Sequence, residues 1–173
     1  MTIANYISAT ALDVSTDGTI YVVNDGGAVY YQESGGTWTE LSNVLAKDIG
    51  VHDDQNVYAL DRSGRKLWKL NATGSGVLPI GDASTWQEIA LDNSDYKVAV
   101  GPTAYYLIGS NYYINQFDGS AWSLVPGSEH SIDLAIKHNT NVWHLDKYTD
   151  QPAKLRKYAN EQQALVDLDQ IEY

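Results

Sequence analysis

Close pairs of aspartates are the first residues whose spacing suggests chemistry, because hydrolysis of a glycosidic bond uses two carboxyl groups that face one bond. The pairs are Asp53 with Asp54, Asp92 with Asp95, and Asp167 with Asp169. Aspartate also caps turns by accepting hydrogen bonds from backbone N–H groups. No phosphate-binding, serine-hydrolase or zinc-protease motif accompanies these pairs. We therefore expect turn capping rather than catalysis.

The remaining candidates for metal or acid–base chemistry are the histidines His52, His130, His138 and His144. His138 and His144 flank a predicted turn, but a zinc site needs three or more ligands in fixed geometry, so loop or surface histidines are expected. Calcium is the better metal hypothesis, since residues 52–56 and 92–95 offer oxygen ligands, although neither follows the calcium-loop order. Cysteine is absent, which excludes disulfides and thiolate ligands. We expect no cofactor.

Aromatic residues are abundant, with 13 Tyr and 5 Trp against one Phe and one Met. Tyr and Trp bury ring area while their polar tips reach water, which suits β-strands with one wet face. Their rings also stack on the apolar face of a sugar, and Asp, Asn and Gln side chains bind its hydroxyl rim. The composition indicates a β protein and is compatible with a carbohydrate ligand.

The charge balance limits the possible partners. With 11 basic and 22 acidic residues the net charge is −11, which repels nucleic acid and anionic membrane surfaces. No apolar run approaches the roughly 20 residues that span a bilayer, so membrane insertion is not predicted. Residues 1–11 lack a basic region followed by an apolar one, so no signal peptide is predicted. We expect a cytoplasmic protein or one exported by a non-classical route.

A repeat positions these side chains. In four segments an apolar stretch leads through a polar turn to a β-forming stretch with one aromatic residue, and further strands follow. The aromatics are spaced 37, 48 and 37 residues apart and are Tyr21, Tyr58, Tyr106 and Trp143. No segment shows sustained helical periodicity. Four-stranded repeats of about 40 residues are typical of propeller blades. We predict one all-β domain over residues 1–173, a β-propeller with four blades at residues 7–43, 44–91, 92–127 and 128–173.

The third copy carries the most distinctive pattern. It contains Val98-Ala99-Val100-Gly101, then Tyr105-Tyr106-Leu107-Ile108, then Tyr113, and it ends in Trp122-Ser123-Leu124-Val125-Pro126-Gly127. This pattern resembles the tectonin-type β-propeller repeat, whose last strand reads W-x-x-[LIV]-x-G. Copies one and two match through Trp38 and Trp86, and the fourth lacks this tryptophan. The resemblance implies tectonin-like blades and lectin-like binding of a glycan or glycoconjugate, although similar proteins have five or six repeats.

Two further tryptophans break the repeat, because Trp68 stands where the first copy has Tyr30 and Trp143 where the second has Tyr58. The predicted stacking residues are Trp68, Trp143, Tyr106 and Tyr113, and the predicted hydrogen-bonding residues on adjacent loops are Asn115, Asp118 and Asp61. By contrast, Trp38, Trp86 and Trp122 recur at one position, which predicts packing between blades.

Carbohydrate recognition without catalysis is the function favoured by this reading. A protein-interaction scaffold with an acidic surface is the alternative. An enzyme with a site in the central channel is less favoured, because it rests on fold analogy alone. A four-blade ring would close if residues 165–168 paired with residues 2–8. Otherwise two chains complete a homo-oligomer, since an open sheet edge invites self-association.

Overall fold

The computed structural model describes residues 7–41, 44–71, 86–91, 95–138, 141–147 and 154–159. Within these ranges every regular element is a β-strand. The strands are β1 Ala9–Val14, β2 Ile20–Asn24, β3 Val29–Gln32, β4 Thr39–Leu41, β5 Ala46–Val51, β6 Val57–Asp61, β7 Lys66–Leu70, β8 Trp86–Ala90, β9 Asp95–Val100, β10 Tyr105–Gly109, β11 Ile114–Phe117, β12 Trp122–Leu124, β13 Ser131–His138, β14 Asn141–Asp146 and β15 Lys154–Ala159.

These strands form four antiparallel sheets in which each strand pairs with the next along the chain. The sheets are β1–β4, β5–β8, β9–β12 and β13–β15, called blades 1 to 4 below. The fold is an all-β propeller of four blades, as the repeat predicts. Residues 165–168, the expected last strand of blade 4, lie outside the described residues. In the described part of the chain no helix is long and apolar enough to cross a membrane.

The chain divides into two compact units, Met1–Tyr96 and Lys97–Tyr173. In the first unit, the core lies between blades 1 and 2. One face of blade 1 supplies Tyr21, Val23, Val29 and Tyr31, and the opposing face of blade 2 supplies Ile49, Val51, Val57 and Ala59. Residues of one face alternate along each strand, so the period-two pattern of the sequence is the cause of this packing.

The second unit repeats the same interface. Blade 3 supplies Tyr106, Ile108 and Ile114 at the positions of Tyr21, Val23 and Val29, and Val142 of blade 4 joins them in one cluster. Leu134 and Ile136 of β13 pack against this cluster at the register positions of Ile49 and Val51. The repeat therefore encodes one blade-to-blade contact, which appears once in each unit.

A backbone hydrogen bond marks the start of blades 2, 3 and 4. Its acceptors are three left-handed residues in the turn before each third strand, Gly27 (φ 87°), Gly64 (φ 73°) and Tyr112 (φ 64°). Their carbonyls accept the N–H groups that open the following blades, Ala46 at 2.8 Å, Asp95 at 2.8 Å and Ser131 at 2.9 Å. Because the left-handed region favours glycine, Tyr112 is the costly member of the set.

The recurring tryptophans share a register position but not an environment. Trp86 pairs with Leu70 and Trp122 with Phe117, so both begin the last strand of their blades. Trp86 is buried in the core of the first unit, which confirms the packing expected for it. Trp122 is 42% exposed, so the packing prediction is wrong there. Trp38 is half-buried.

Candidate functional site

The most distinctive surface of the described residues is a row of three aromatic rings across blade 3. Tyr105, Phe117 and Trp122 are opposite one another on β10, β11 and β12. The Tyr105 and Phe117 rings stack at 5.0 Å between centroids, and Trp122 contacts Phe117 at 5.2 Å and Tyr105 edge-on at 5.5 Å. The two inner rings hold the indole in place and leave part of it open to solvent.

The next row of the same face adds an amide and a second apolar side chain. Asn115 is two residues before Phe117 and lies opposite both Leu107 and Leu124, so alternation places these side chains on the face of the aromatic row. Leu124 is 53% exposed and Asn115 is half-buried. We call Tyr105, Asn115, Phe117, Trp122 and Leu124 the aromatic surface.

Asp118 borders the aromatic surface in the turn between β11 and β12, and its carboxylate shapes the turn. Its Oδ1 accepts the N–H of Ala121 at 2.9 Å, the N–H of Ser120 at 2.8 Å and the Ser120 hydroxyl at 2.8 Å. These bonds, with that of Ala121 first, lower the pKa of Asp118. Oδ1 thus has a structural task, as the turn-capping interpretation of the aspartates expects.

The predicted residues Asp61 and Asp118 have the same role on different blades. Asp61 accepts the N–H groups of Ser63, Arg65 and Lys66 at 2.8 to 3.1 Å, and also the Ser63 hydroxyl. Burial raises the pKa of Asp61, but these hydrogen bonds outweigh burial and lower it. Asp61 is therefore a turn cap in the structure, and its ligand-binding role stays a prediction.

The structure corrects the prediction for Tyr106. Tyr106 is fully buried in the core of the second unit, so its ring has no open face on which a ligand could stack. It occupies the register position of Tyr21, where the ring fills the space between two blades. Of the other residues, Tyr113 is half-buried just before β11, near Asn115 in sequence.

Trp68 and Trp143 are both half-buried and both carry a lysine over the ring. Lys66 Nζ lies 5.5 Å from the Trp68 ring centroid and Lys157 Nζ lies 5.4 Å from that of Trp143. Lys66 also forms a 2.9 Å ion pair with Glu88. A lysine already engages each ring, so these tryptophans are less open platforms than Trp122.

A buried polar cluster in blade 4 contains His144, which is not at the surface as the sequence predicts. His144 is buried, not exposed, and its Nδ1 lies 2.7 Å from the Ser131 hydroxyl, which also donates to the Ser128 carbonyl at 2.7 Å. Burial lowers the pKa of His144, the Asp146 carboxylate opposes this shift, and the Arg156 guanidinium adds to it. Ser131 and His144 are enclosed, so this contact tethers β13 to β14 and presents no group to a substrate.

Metal ligation finds no support among the described residues, where no group of three His, Asp or Glu side chains converges. In the 52–56 stretch, Asp53 Oδ1 instead accepts the N–H of Gln55 at 3.0 Å and the Asn56 amide at 2.9 Å. Asp92, Asp167 and Asp169 and the side chain of His138 lie outside the described residues, so calcium there stays a hypothesis.

Comparison with known proteins supports the fold. No protein-family model matches the sequence, and no curated protein matches it. Among solved structures, YCF48 from Cyanidioschyzon merolae matches with a TM-score of 0.65 at 13% identity, over 90% of this chain and 52% of that one. YCF48 bound to D1 peptide gives 0.65 at 14% identity, over 88% and 51%. Human WBSCR16 gives 0.63 at 9% identity, over 90% and 49%. At such low identity the likeness shows the fold alone, and the chain spans about half the length of these structures.

Proposed function

We propose that this chain is a recognition module that binds an extended peptide segment of a protein partner at the aromatic surface of blade 3. The observation that carries the proposal is Trp122, a large indole that two inner rings hold in place but leave 42% exposed. A fixed, half-open tryptophan loses little conformational entropy on binding, and tryptophan is among the residues that dominate binding energy at protein interfaces.

The position of Trp122 on an edge strand favours a peptide. β12 is the last strand of its sheet, and all three of its residues are exposed. An extended peptide alongside β12 would bond to its outer backbone edge, which pairs with no other strand among the described residues, and place apolar side chains on Trp122 and Leu124. The solved propeller bound to D1 peptide is a peptide-binding relative in fold, which makes this ligand class a reasonable proposal here.

The charge of the chain favours a basic peptide. The net charge is −11, and an acidic surface attracts cationic segments over a distance set by salt screening. Binding to a basic peptide should therefore weaken as salt is raised, with the association rate affected most.

Carbohydrate is the second candidate, and the placement of Asn115 favours it. The amide lies on the face that carries the exposed Trp122 ring, a combination that suits the apolar face and hydroxyl rim of a sugar. The tectonin-like pattern, whose tryptophan is Trp122, supports the same ligand class. We rank it second because a sugar cannot pair with the backbone N–H and C=O groups of the edge strand β12 as an extended peptide can.

The test is affinity selection of a displayed random-peptide library and, in parallel, a glycan array, both on the wild-type chain. Each is repeated with Trp122→Ala and with Tyr96→Ala, a matched variant that removes an exposed ring from β9, at the opposite edge of the same sheet. We expect convergent basic and apolar peptides on the wild type and Tyr96→Ala, lost on Trp122→Ala. Glycan binding that Trp122→Ala abolishes would favour the second candidate. Ligands retained by Trp122→Ala would overturn the site.

A further inference from the structure

Each blade has two faces that differ in their role in the blade-to-blade contact. The leading face is the one that packs on the preceding blade, and in blade 2 it carries Ile49, Val51, Val57 and Ala59. The trailing face packs on the following blade, and in blade 1 it carries Tyr21, Val23, Val29 and Tyr31. Both faces are fixed by strand register, so equivalent residues can be identified in every blade.

On the leading face of blade 1 the apolar side chains of β1 are exposed, whereas Val22 of β2, opposite Leu12, is only 4% exposed. Leu12 and Val14 occupy the register positions of Ile49 and Val51. Ile49 and Val51 are 3% and 5% exposed, whereas Leu12 and Val14 are 66% and 48% exposed. Exposed apolar side chains that line one sheet face mark an interaction surface. Leu12 and Val14 are therefore apolar residues at contact positions of a blade, but the exposure of their side chains shows that no other blade packs on them.

The trailing face of blade 4 is also less buried than the equivalent faces of the other blades. Trp143 occupies the register position of Tyr21 and Tyr106, which are both fully buried, but Trp143 is only half-buried. Leu145 and Leu155 are likewise half-buried, at positions whose equivalents in blades 1 and 3 are buried. Ala135, opposite Trp143, is exposed. Blade 4 thus presents a trailing face with the residue types that would pack on the leading face of blade 1.

We propose that a second copy of this chain covers both faces. The leading face of blade 1 in one copy packs on the trailing face of blade 4 in the other, and the same contact forms in reverse. Two identical contacts are what a two-fold dimer requires.

The interface inside the chain predicts which residues meet between the copies. In the first unit, Asp13 Oδ2 of blade 1 accepts the N–H of Val51 of blade 2 at 2.7 Å. By register, Ala135 of blade 4 corresponds to Asp13, and Val14 of blade 1 corresponds to Val51. Ala135 of one copy should therefore lie beside Val14 of the other.

Disulfide trapping tests this pairing directly, because the natural chain has no cysteine. Val14→Cys and Ala135→Cys are made as separate variants at exposed sites and mixed before mild oxidation. We expect a covalent dimer in the mixture and none when either variant is oxidised alone. The double variant should form the same dimer. A disulfide within one chain of the double variant, with no dimer in the mixture, would show that the chain closes on itself and would overturn the proposal.

The mass in solution gives an independent test. Wild-type protein should sediment as two chains, and Leu12→Asp should sediment as one chain with an unchanged circular dichroism spectrum. Leu45→Asp is the matched control, since Leu45 is 59% exposed but lies just before β5 of blade 2 and not on the leading face of blade 1. A monomeric wild type, larger open assemblies, or a dimer that Leu12→Asp leaves intact would each contradict the two-fold dimer.

Discussion

The N–H of Asp95 donates a 2.8 Å hydrogen bond to the carbonyl of Gly64, a residue with φ of +73°. A Cβ on Gly64 would collide with the Asp95 carbonyl oxygen and with Lys47 Nζ. Gly18 has φ of +91° but open space around it, so the two glycines share backbone strain and differ only in crowding.

This difference predicts two separate costs. Gly18→Ala should lower the free energy of unfolding by about 1–2 kcal/mol, the usual penalty of a left-handed conformation. Gly64→Ala adds a backbone collision and should cost about 3 kcal/mol or more. Urea unfolding of both variants measures this, and equal costs would mean that the close approach at Gly64 relaxes freely.

The tryptophans that share one register position should respond in opposite ways to truncation. Trp86→Ala removes a ring buried in the core and should cost about 3–5 kcal/mol of unfolding free energy. Trp122→Ala removes an exposed ring and should cost less than about 1.5 kcal/mol. Denaturant midpoints with unchanged slopes would report this contrast. Similar losses of unfolding free energy in both variants would mean that Trp122 packs between blades, as the sequence predicts.

The titration of Asp95 should contribute to the pH dependence of the unfolding free energy. Burial raises the pKa of Asp95 from 3.8 to about 6, against the opposing charge of Lys47. The native state therefore holds this proton more tightly than the unfolded state, and the associated stability is full below pH 3.8 and lost as the pH rises through about 6. Asp95→Asn should flatten the change in unfolding free energy over this range, by at most about 3 kcal/mol.

Asp118→Asn is the control of opposite sign. Hydrogen bonds lower the pKa of Asp118, so its stability contribution is present above the ordinary pKa and lost as the pH falls below it. Thermal unfolding between pH 3 and 7 separates the two variants. A profile of Asp95→Asn that parallels the wild type would show that Asp95 is not the group responsible.

Asp61 should matter for stability and not for binding. Asp61→Ala leaves the N–H groups of Ser63, Arg65 and Lys66 without their acceptor, which should cost about 1–2 kcal/mol of unfolding free energy. Ligand affinity should stay within about twofold of wild type, because the aromatic surface does not include Asp61. A selective loss of affinity with unaltered stability would return Asp61 to the ligand site.

The repeat in the sequence was sufficient to predict the blades. The spacing of Tyr21, Tyr58, Tyr106 and Trp143 placed them on one register position, and the paired strands confirm it. Periodicity fixes which residues share a face, because alternation along a strand is a local property. It does not say which faces are covered, because that depends on what each blade packs against.

This limit explains the errors at the site. Tyr106 and Trp143 share a register position, yet Tyr106 is fully buried and Trp143 half-buried. Trp86 and Trp122 likewise share a position but not their burial. The signal that distinguishes Trp122 is its register with Phe117, the single Phe of the sequence. Recognising that signal required the strand pairing of β11 with β12.

Affinity of a selected peptide for three tryptophan variants tests the central claim most directly. Calorimetric titration is run on wild type, Trp122→Ala, Trp68→Ala and Trp143→Ala, all checked for native circular dichroism. We predict that Trp122→Ala weakens binding about 30-fold or more, as for an interface hot spot, and that the other two stay within about threefold. Full affinity in Trp122→Ala, with loss in Trp68→Ala or Trp143→Ala, would contradict a recognition surface on blade 3.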